Sequence, residues 1–180
     1  MDEKEIFKMF DYVDEEVKNT VNTNENCGEF IPAAYPSNTE YISRFICENF
    51  GISKPDVFMD LIPEVIHVDV FCAHPTEEKP YYVIVTSGLS EYAMKCEKNE
   101  DSRCELMMLL PGDWNIQSTA STLWNWPISV LKQAARCTYT SDEALYEYSC
   151  FKFEPFAENT ELCALLSVRP TDEKLRFITG

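Results

Sequence analysis

The hydrophobic residues in the first third of the chain recur at the spacing of a helix. The first stripe has acidic residues between its members and consists of Ile6, Phe10, Val13 and Val17. The second stripe consists of Ile42, Phe45, Ile46 and Phe50. Both predict amphipathic helices, so we expect residues 1–60 to be mainly helical. Ser37 to Glu40 has the S-x-x-E form of a capping box for the second helix, and Gly51 is its natural stop.

After Val65 the hydrophobic spacing changes to a period of two. One face of the predicted strand consists of Ile66, Val68, Val70 and Cys72, and the other of His67, Asp69 and Phe71. Two further apolar runs, at residues 81–86 and 105–110, predict the next strands. A Pro-Gly-Asp turn follows the last of them.

The last third of the chain combines one helix with short strands. Pro127 suits the first turn of a helix over residues 127–136. Residues 162–168 and 175–178 predict a closing hairpin. We therefore predict one α+β domain over residues 1–180, with a mixed, mostly antiparallel sheet packed with helices in residues 65–180.

The charge balance of the chain is strongly acidic. It carries 31 acidic and 15 basic residues, a formal net charge of −16 at pH 7. Such a surface repels nucleic acids and anionic membranes and attracts basic proteins, so we expect a protein partner, no nucleic acid and no membrane. The alternative is that the acidity only maintains solubility. The start, MDEKEIFKMF, has no signal-peptide pattern, and no apolar run approaches the ~18 residues of a spanning helix, which predicts a cytoplasmic protein.

Metal and cofactor motifs do not occur in the sequence. The eight cysteines are scattered without a C-x-x-C pair, and in a reducing compartment they are small buried hydrophobes or idle thiols. The phosphate-binding patterns G-x-x-x-x-G-K-[ST] and G-x-G-x-x-G are missing as well. We predict no cofactor and no metal.

A turn of small residues, Thr86-Ser87-Gly88-Leu89-Ser90, follows the second predicted strand and is here called the signature turn. It lacks the first glycine of G-x-S-x-G, so it does not indicate the strained elbow that exposes the serine of an α/β-hydrolase. We predict instead that Gly88 supplies a positive φ where the strand becomes a loop.

His67 and Asp69 alternate onto one face of the first predicted strand, with Cα atoms about 6.5 Å apart. One interpretation is a hydrogen-bonded pair on a half-solvated face. The other is the centre of an enzyme of unknown type, metal-assisted or not. Two groups alone do not make a mononuclear metal site, which needs a third and a fourth ligand.

Three tryptophans, Trp114, Trp124 and Trp126, are close together in the sequence. Residues 100–126 contain four acids and one base, the reverse of the basic groove that binds single-stranded nucleic acid. We expect the tryptophans to lie in the core or at a protein interface, such as that of a regulatory subunit.

Four segments between Ile66 and Ala135, taken in order, resemble one family. They are IHVDVFCAHPT, PYYVIVTSGLSEYAM, CELMMLLPGDW and WNWPISVLKQAAR. They resemble the H-V-D-V strand, the T-S-G-[LM]-S turn, the E-L-x-x-x-L-P-x-D-W strand end and the W-P-x-x-x-L-K-x-x-A helix of the suppressor of fused (SUFU) domain family.

The resemblance implies an α+β domain that binds a partner protein, without established enzymatic activity. In this family the signature turn is a feature of the fold and not a nucleophile. Longer, two-domain animal members restrain a transcription factor, whereas short stand-alone members are typically bacterial. Some bacterial members are thought, from gene context, to be immunity proteins that neutralise toxins.

We therefore predict a non-enzymatic, immunity-type inhibitor that occludes a basic protein partner, such as a toxin encoded nearby. An acidic surface steers association with a basic substrate cleft and occupies it in place of phosphates. The predicted binding surface is the loop at residues 92–101, which contains Tyr92, Glu97, Glu100 and Asp101. The alternative for this loop is a solvated run of charges.

Overall fold

The computed structural model describes residues 36–61, 65–96, 102–116, 122–141 and 144–176. All of them belong to one compact unit of the chain. The first predicted helix, at residues 6–17, lies outside these ranges. The elements in chain order are α1 (Thr39–Phe50), β1 (Asp56–Phe58), β2 (Asp69–Ala73), β3 (Tyr81–Ser87), β4 (Met107–Pro111), α2 (Thr122–Ser141), β5 (Cys150–Lys152) and β6 (Ala164–Leu166).

Four strands form one antiparallel sheet in the order β1-β2-β3-β4. Each strand pairs with its neighbour in sequence, and in the central pair Asp69 lies opposite Ser87. With the two helices, this sheet confirms the predicted α+β class. The predicted strands correspond to β2, β3 and β4, although β2 starts at Asp69, three residues later than expected. Strand β1 was not predicted.

Helix α1 confirms the second predicted stripe. Ile42, Ile46 and Phe50 are buried and belong to one core cluster with Phe71 of β2. Gly51 ends the helix in the left-handed conformation, with φ 68°, as its position predicted.

The capping box predicted for α1 is wrong. Asn38 directly precedes the helix, and its side chain makes no capping hydrogen bond. Ser37 Oγ and Asn38 N instead donate to the carboxylate of Glu91. An acid more than fifty residues away therefore bonds the start of this helix, and a local pattern does not predict such a contact.

Helix α2 begins five residues before Pro127. The helix predicted over residues 127–136 is confirmed within α2, but the placement of Pro127 in its first turn is wrong. Inside a helix, a proline cannot donate to the carbonyl four residues before it, which here belongs to Leu123. Asn159 Nδ2 donates to that carbonyl oxygen at 3.3 Å, so the oxygen has a hydrogen-bond partner from outside the helix.

The two helices cover opposite faces of the sheet. Residues that pack on the α1 side include Phe71, Ala73, Val83 and Val85. Those on the α2 side include Val70, Cys72, Ile84, Ile128 and Leu131. All five residues of β2 are consequently buried. The half-solvated face expected for this strand is wrong, because a helix lies on each side of it.

The closing hairpin predicted at residues 162–168 and 175–178 is described only in part, because residues 177 and 178 lie outside the described ranges. Strand β6 lies within the predicted residues 162–168, but it pairs antiparallel with β5, which was not predicted. Glu173–Leu175 forms a 3-10 turn, and Leu175 packs on the α1 side of the core. Short apolar runs suit either a strand or a turn, and here a tertiary contact decides between them.

Candidate protein-binding site

Gly88 sets the shape of the signature turn. Its φ is 134°, a value that residues with a side chain rarely adopt. A Cβ added at this position would lie 2.0 Å from the carbonyl oxygen of His67. The turn therefore needs glycine for its conformation and for the close approach of the neighbouring backbone. This confirms the backbone role predicted for Gly88.

One carboxylate, that of Glu105, holds the signature turn. Its Oε1 accepts hydrogen bonds from Gly88 N at 3.0 Å, Ser90 N at 3.0 Å and Ser90 Oγ at 2.6 Å. Its Oε2 accepts from Thr86 Oγ1 at 2.6 Å. Desolvation raises the pKa of this carboxyl, while the four hydrogen bonds act in the opposite direction by favouring the charged form.

Further hydrogen bonds join the signature turn to the start of β4. Thr86 N donates to Leu106 O at 2.9 Å, and Leu106 N donates to Thr86 Oγ1 at 2.8 Å. Arg103 Nη1 donates to the carbonyl oxygens of Ser90, at 2.7 Å, and Glu91, at 2.5 Å. The T-S-G-L-S and E-L segments are therefore two halves of one hydrogen-bonded unit.

The same unit positions Glu91, the residue after the signature turn. The Glu91 carboxylate accepts hydrogen bonds from Ser37 Oγ at 3.0 Å and from Asn38 N at 2.9 Å. Both donors are neutral, so these bonds orient the carboxylate without cancelling its negative charge.

A surface pocket of about 230 Å³, here called the tyrosine pocket, lies beside the signature turn. It is lined by Leu89, Glu91, Tyr92, Ala93, Met94 and Tyr139. The rings of Tyr92 and Tyr139 meet edge to face, with centroids 4.7 Å apart and planes at 65°. Burial raises the pKa of Tyr92, and the neighbouring Tyr139 and Glu91 raise it further.

Of the four residues predicted to bind the partner, the structure describes Tyr92. Glu97, Glu100 and Asp101 lie outside the described ranges, so their role stays a prediction. Tyr92 lies in the tyrosine pocket together with Glu91 and Tyr139, which the prediction did not include. Glu91 is its neighbour in sequence, whereas nothing in the sequence indicates that Tyr139 comes close.

The side chains of His67 and Asp69 form a hydrogen-bonded pair, with 3.0 Å between Nε2 and Oδ1. They are 6% and 0% exposed, so the pair is internal and does not lie on a solvated face. Asp69 Oδ1 also accepts from Asp60 N at 2.7 Å, and Asp60 Oδ2 accepts from Arg136 Nη2 at 2.7 Å. These contacts connect the start of β2 to helix α2.

Lys132 extends this ionic network by one helical turn. Its Nζ donates to the carbonyl oxygen of Met59 at 3.0 Å. Burial lowers the pKa of Lys132, and the charges of Asp60 and Asp69 partly offset that effect. The network thus includes two acids, two bases and a histidine, and it connects the segment before β2 with helix α2.

Within the described ranges, no three His, Cys, Asp or Glu side chains are grouped so that they could hold a metal ion. Six cysteines in those ranges are free thiols, namely Cys47, Cys72, Cys104, Cys137, Cys150 and Cys163. Burial raises the pKa of the Cys72 and Cys104 thiols to about 12, so neither is an activated nucleophile.

Trp114 packs on the other two tryptophans, Trp124 and Trp126, which belong to helix α2. The Trp114 ring meets those of Trp124 and Trp126 edge to face, with centroids 5.1 and 5.6 Å apart. Trp126 stacks on Phe156 at 5.0 Å. These contacts agree with the packing role expected for the cluster, and its role in a protein interface stays a prediction.

Unlike Gly88 and Tyr92, several residues that build or support the site were not predicted. An acid within an apolar strand segment, as in CELMMLL, is a signal for Glu105, because a carboxylate in such a place needs donors. Asp60 and Arg136 form an ion pair across 76 residues, and no local pattern joins them.

Comparisons with known proteins identify the family. Within the described part of the chain, neither helix has the length and hydropathy that a membrane span requires. No curated protein and no solved structure matches the chain. The family model of the Suppressor of fused protein (SUFU) matches residues 64–180, which include the signature turn, Glu105 and the tyrosine pocket. The chain therefore belongs to the Suppressor of fused family, whose members are regulatory, protein-binding domains.

Proposed function

We propose that this protein is a non-enzymatic inhibitor of the immunity type, which binds a basic protein and blocks its working surface. The observation that carries the proposal is membership of a protein-binding family by a chain with a net charge of −16. The family accounts for protein binding, and the charge favours a basic partner. We further propose that the protein is cytoplasmic and that its partner is a toxin encoded nearby.

Binding alone is enough for an inhibitor of this kind. A toxin that attacks nucleic acid or nucleotides has a basic cleft for phosphate groups. Carboxylates on a folded surface occupy such a cleft and exclude its substrate, and long-range attraction increases the rate of encounter. No covalent step and no cofactor are required.

The catalytic alternative, which uses His67 and Asp69, has less support. A general base must come within hydrogen-bond reach of the proton that it removes from a substrate. Asp69 is fully buried and its Oδ1 is bonded by His67 and Asp60. Ser87, which lies opposite Asp69 in the sheet, is fully buried as well. The pair is therefore better suited to holding β2 than to meeting a substrate.

The proposal is tested by reversing the charge of the predicted binding loop. Replacing Glu97, Glu100 and Asp101 together by Lys is expected to slow association with the product of the adjacent upstream gene by about tenfold or more at low salt. The dependence of the association rate on salt should also weaken, because fewer opposite charges face each other. Stopped-flow fluorescence over a series of salt concentrations measures both quantities.

A control variant changes the net charge by the same amount elsewhere. The exposed acids Glu154, Glu158 and Glu161 serve for this purpose when each is replaced by Lys. The control should slow association much less than the loop variant does. If both variants associate at the same rate, the loop at residues 92–101 is not the binding surface.

A further inference from the structure

The tyrosine pocket combines an apolar base with an aromatic wall. Leu89 and Met94 are buried, with 1% and 6% of their surface exposed. The rings of Tyr92 and Tyr139 stand at 65° to each other, so the face of one ring meets the edge of the other. A cavity of about 150 Å³ holds a benzene molecule, and this pocket of about 230 Å³ therefore accommodates a planar group with part of its stem.

Glu91, one of the residues that line the tyrosine pocket, carries a negative charge. Its carboxylate is held in place by the hydroxyl of Ser37 and the backbone N–H of Asn38. Within the described ranges, no ion pair neutralises this carboxylate. The hydrogen bonds that Arg103 donates to this segment go to the carbonyl oxygens of Ser90 and Glu91 and not to the carboxylate. The Glu91 charge also contributes to the raised pKa of Tyr92.

We propose that the tyrosine pocket receives an arginine side chain of a basic protein partner, with Glu91 pairing its guanidinium and the tyrosine rings contacting its planar face. This inference rests on the function proposed above, because that function makes the partner basic. It adds to that function a defined contact point, which is formed by Glu91, Tyr92 and Tyr139.

The chemistry of the pocket favours arginine over other side chains. An anion is repelled by Glu91, and an uncharged apolar side chain supplies no opposite charge for the carboxylate. A guanidinium is planar, stacks on an aromatic ring and pairs with a carboxylate through two parallel hydrogen bonds. Lysine supplies a compact, strongly hydrated charge that does not match a flat aromatic wall as well.

The test uses N-acetyl-arginine amide and its neutral isostere N-acetyl-citrulline amide as probes of the full chain. We expect the arginine probe to shift the NMR signals of Tyr92, the Met94 methyl group and Tyr139 in a saturable way. The citrulline probe, which has the same shape without the charge, should bind about tenfold more weakly or not at all. This comparison needs no substitution, so it does not depend on the folding of a variant.

Two substitutions test whether Glu91 is responsible for binding of the arginine probe. Glu91→Gln keeps an acceptor for Ser37 and Asn38 but removes the charge, and it is expected to weaken binding of the arginine probe about fivefold. Glu158→Gln removes one charge from another exposed position and should leave binding unchanged. The proposal is overturned if both probes bind equally, if the shifts occur elsewhere, or if Glu91→Gln has no effect. Because no partner protein is present, that result would leave the proposed inhibition standing and reject the pocket alone.

Discussion

At the scale of single residues, Gly88 shows why the signature turn is built from small groups. The backbone of the turn passes so close to the carbonyl of His67 that no Cβ fits between them. The hydroxyls of Thr86 and Ser90 then lie within reach of the Glu105 carboxylate. A side chain in place of the glycine would push these donors away from their acceptor, so the hydrogen-bond pattern depends on that one position.

Gly88→Ala is expected to lower the free energy of unfolding by about 3 kcal/mol or more, because backbone strain and a steric clash add together. Gly51→Ala is the matched control. Gly51 also has a positive φ, of 68°, but no atom lies within 4 Å of an added Cβ. The control should lose only about 1–2 kcal/mol. Urea denaturation measures both losses, and equal values would contradict the role of the close contact.

At the scale of elements, Glu105 joins β3, the signature turn and β4. The carboxylate receives four hydrogen bonds from three residues of the turn, and the backbone of Leu106 continues the connection. Because Arg103 bonds the carbonyls of Ser90 and Glu91, the segment at residues 103–106 holds the turn through several independent contacts. The position of Glu91 in the tyrosine pocket follows from this arrangement.

Two substitutions of Glu105 distinguish the contribution of its hydrogen bonds to stability from the contribution of its charge. Glu105→Ala leaves four donors without their acceptor and is expected to cost about 3 kcal/mol or more. Glu105→Gln keeps an acceptor oxygen and should cost clearly less. Chemical denaturation of the two variants at pH 7 measures the difference, and a similar loss for both would mean that the charge itself is required.

The pH dependence of stability gives a second test of Glu105. Its pKa in the folded protein is raised above the ordinary value of 4.5 by desolvation, so the folded state holds this proton more tightly than the unfolded chain does. The contribution of this carboxyl is fully present below pH 4.5 and is lost as the pH rises through the folded pKa. Relative to the wild type, Glu105→Gln should therefore become more stable as the pH increases through that range. A constant difference between the two proteins would contradict the raised pKa.

Local sequence patterns predicted those elements whose own residues indicate which side is buried and where the element ends. Helix α1 follows from one apolar stripe and a glycine stop, and β3 follows from a run of β-formers with the signature turn after it. Pro127 misled the prediction of α2, because the side chain of Asn159 bonds the carbonyl that the proline leaves free. Strand β5 was missed because three residues give too short a pattern. Tyr92 was predicted because it lies just after the signature turn in the sequence. Tyr139 is distant in the sequence and comes into contact with Tyr92 only in the folded chain.

At the scale of the whole molecule, the family and the charge indicate the same kind of activity. Membership of the Suppressor of fused family makes protein binding the expected role. The net charge of −16 adds long-range attraction for a basic partner, and such attraction decreases when salt screens it. In the ionic network, Asp69 is fully buried and Asp60 is paired with Arg136, so these two acids contribute little to long-range attraction.

Titration calorimetry of the purified protein against the product of the adjacent upstream gene tests the proposed function most directly. We predict tight binding at about 50 mM salt and a Kd that increases about tenfold or more at about 500 mM salt. Such a result would show that the protein is a binding module whose acidic surface contributes to recognition. The absence of binding at either salt concentration would contradict inhibition of that partner.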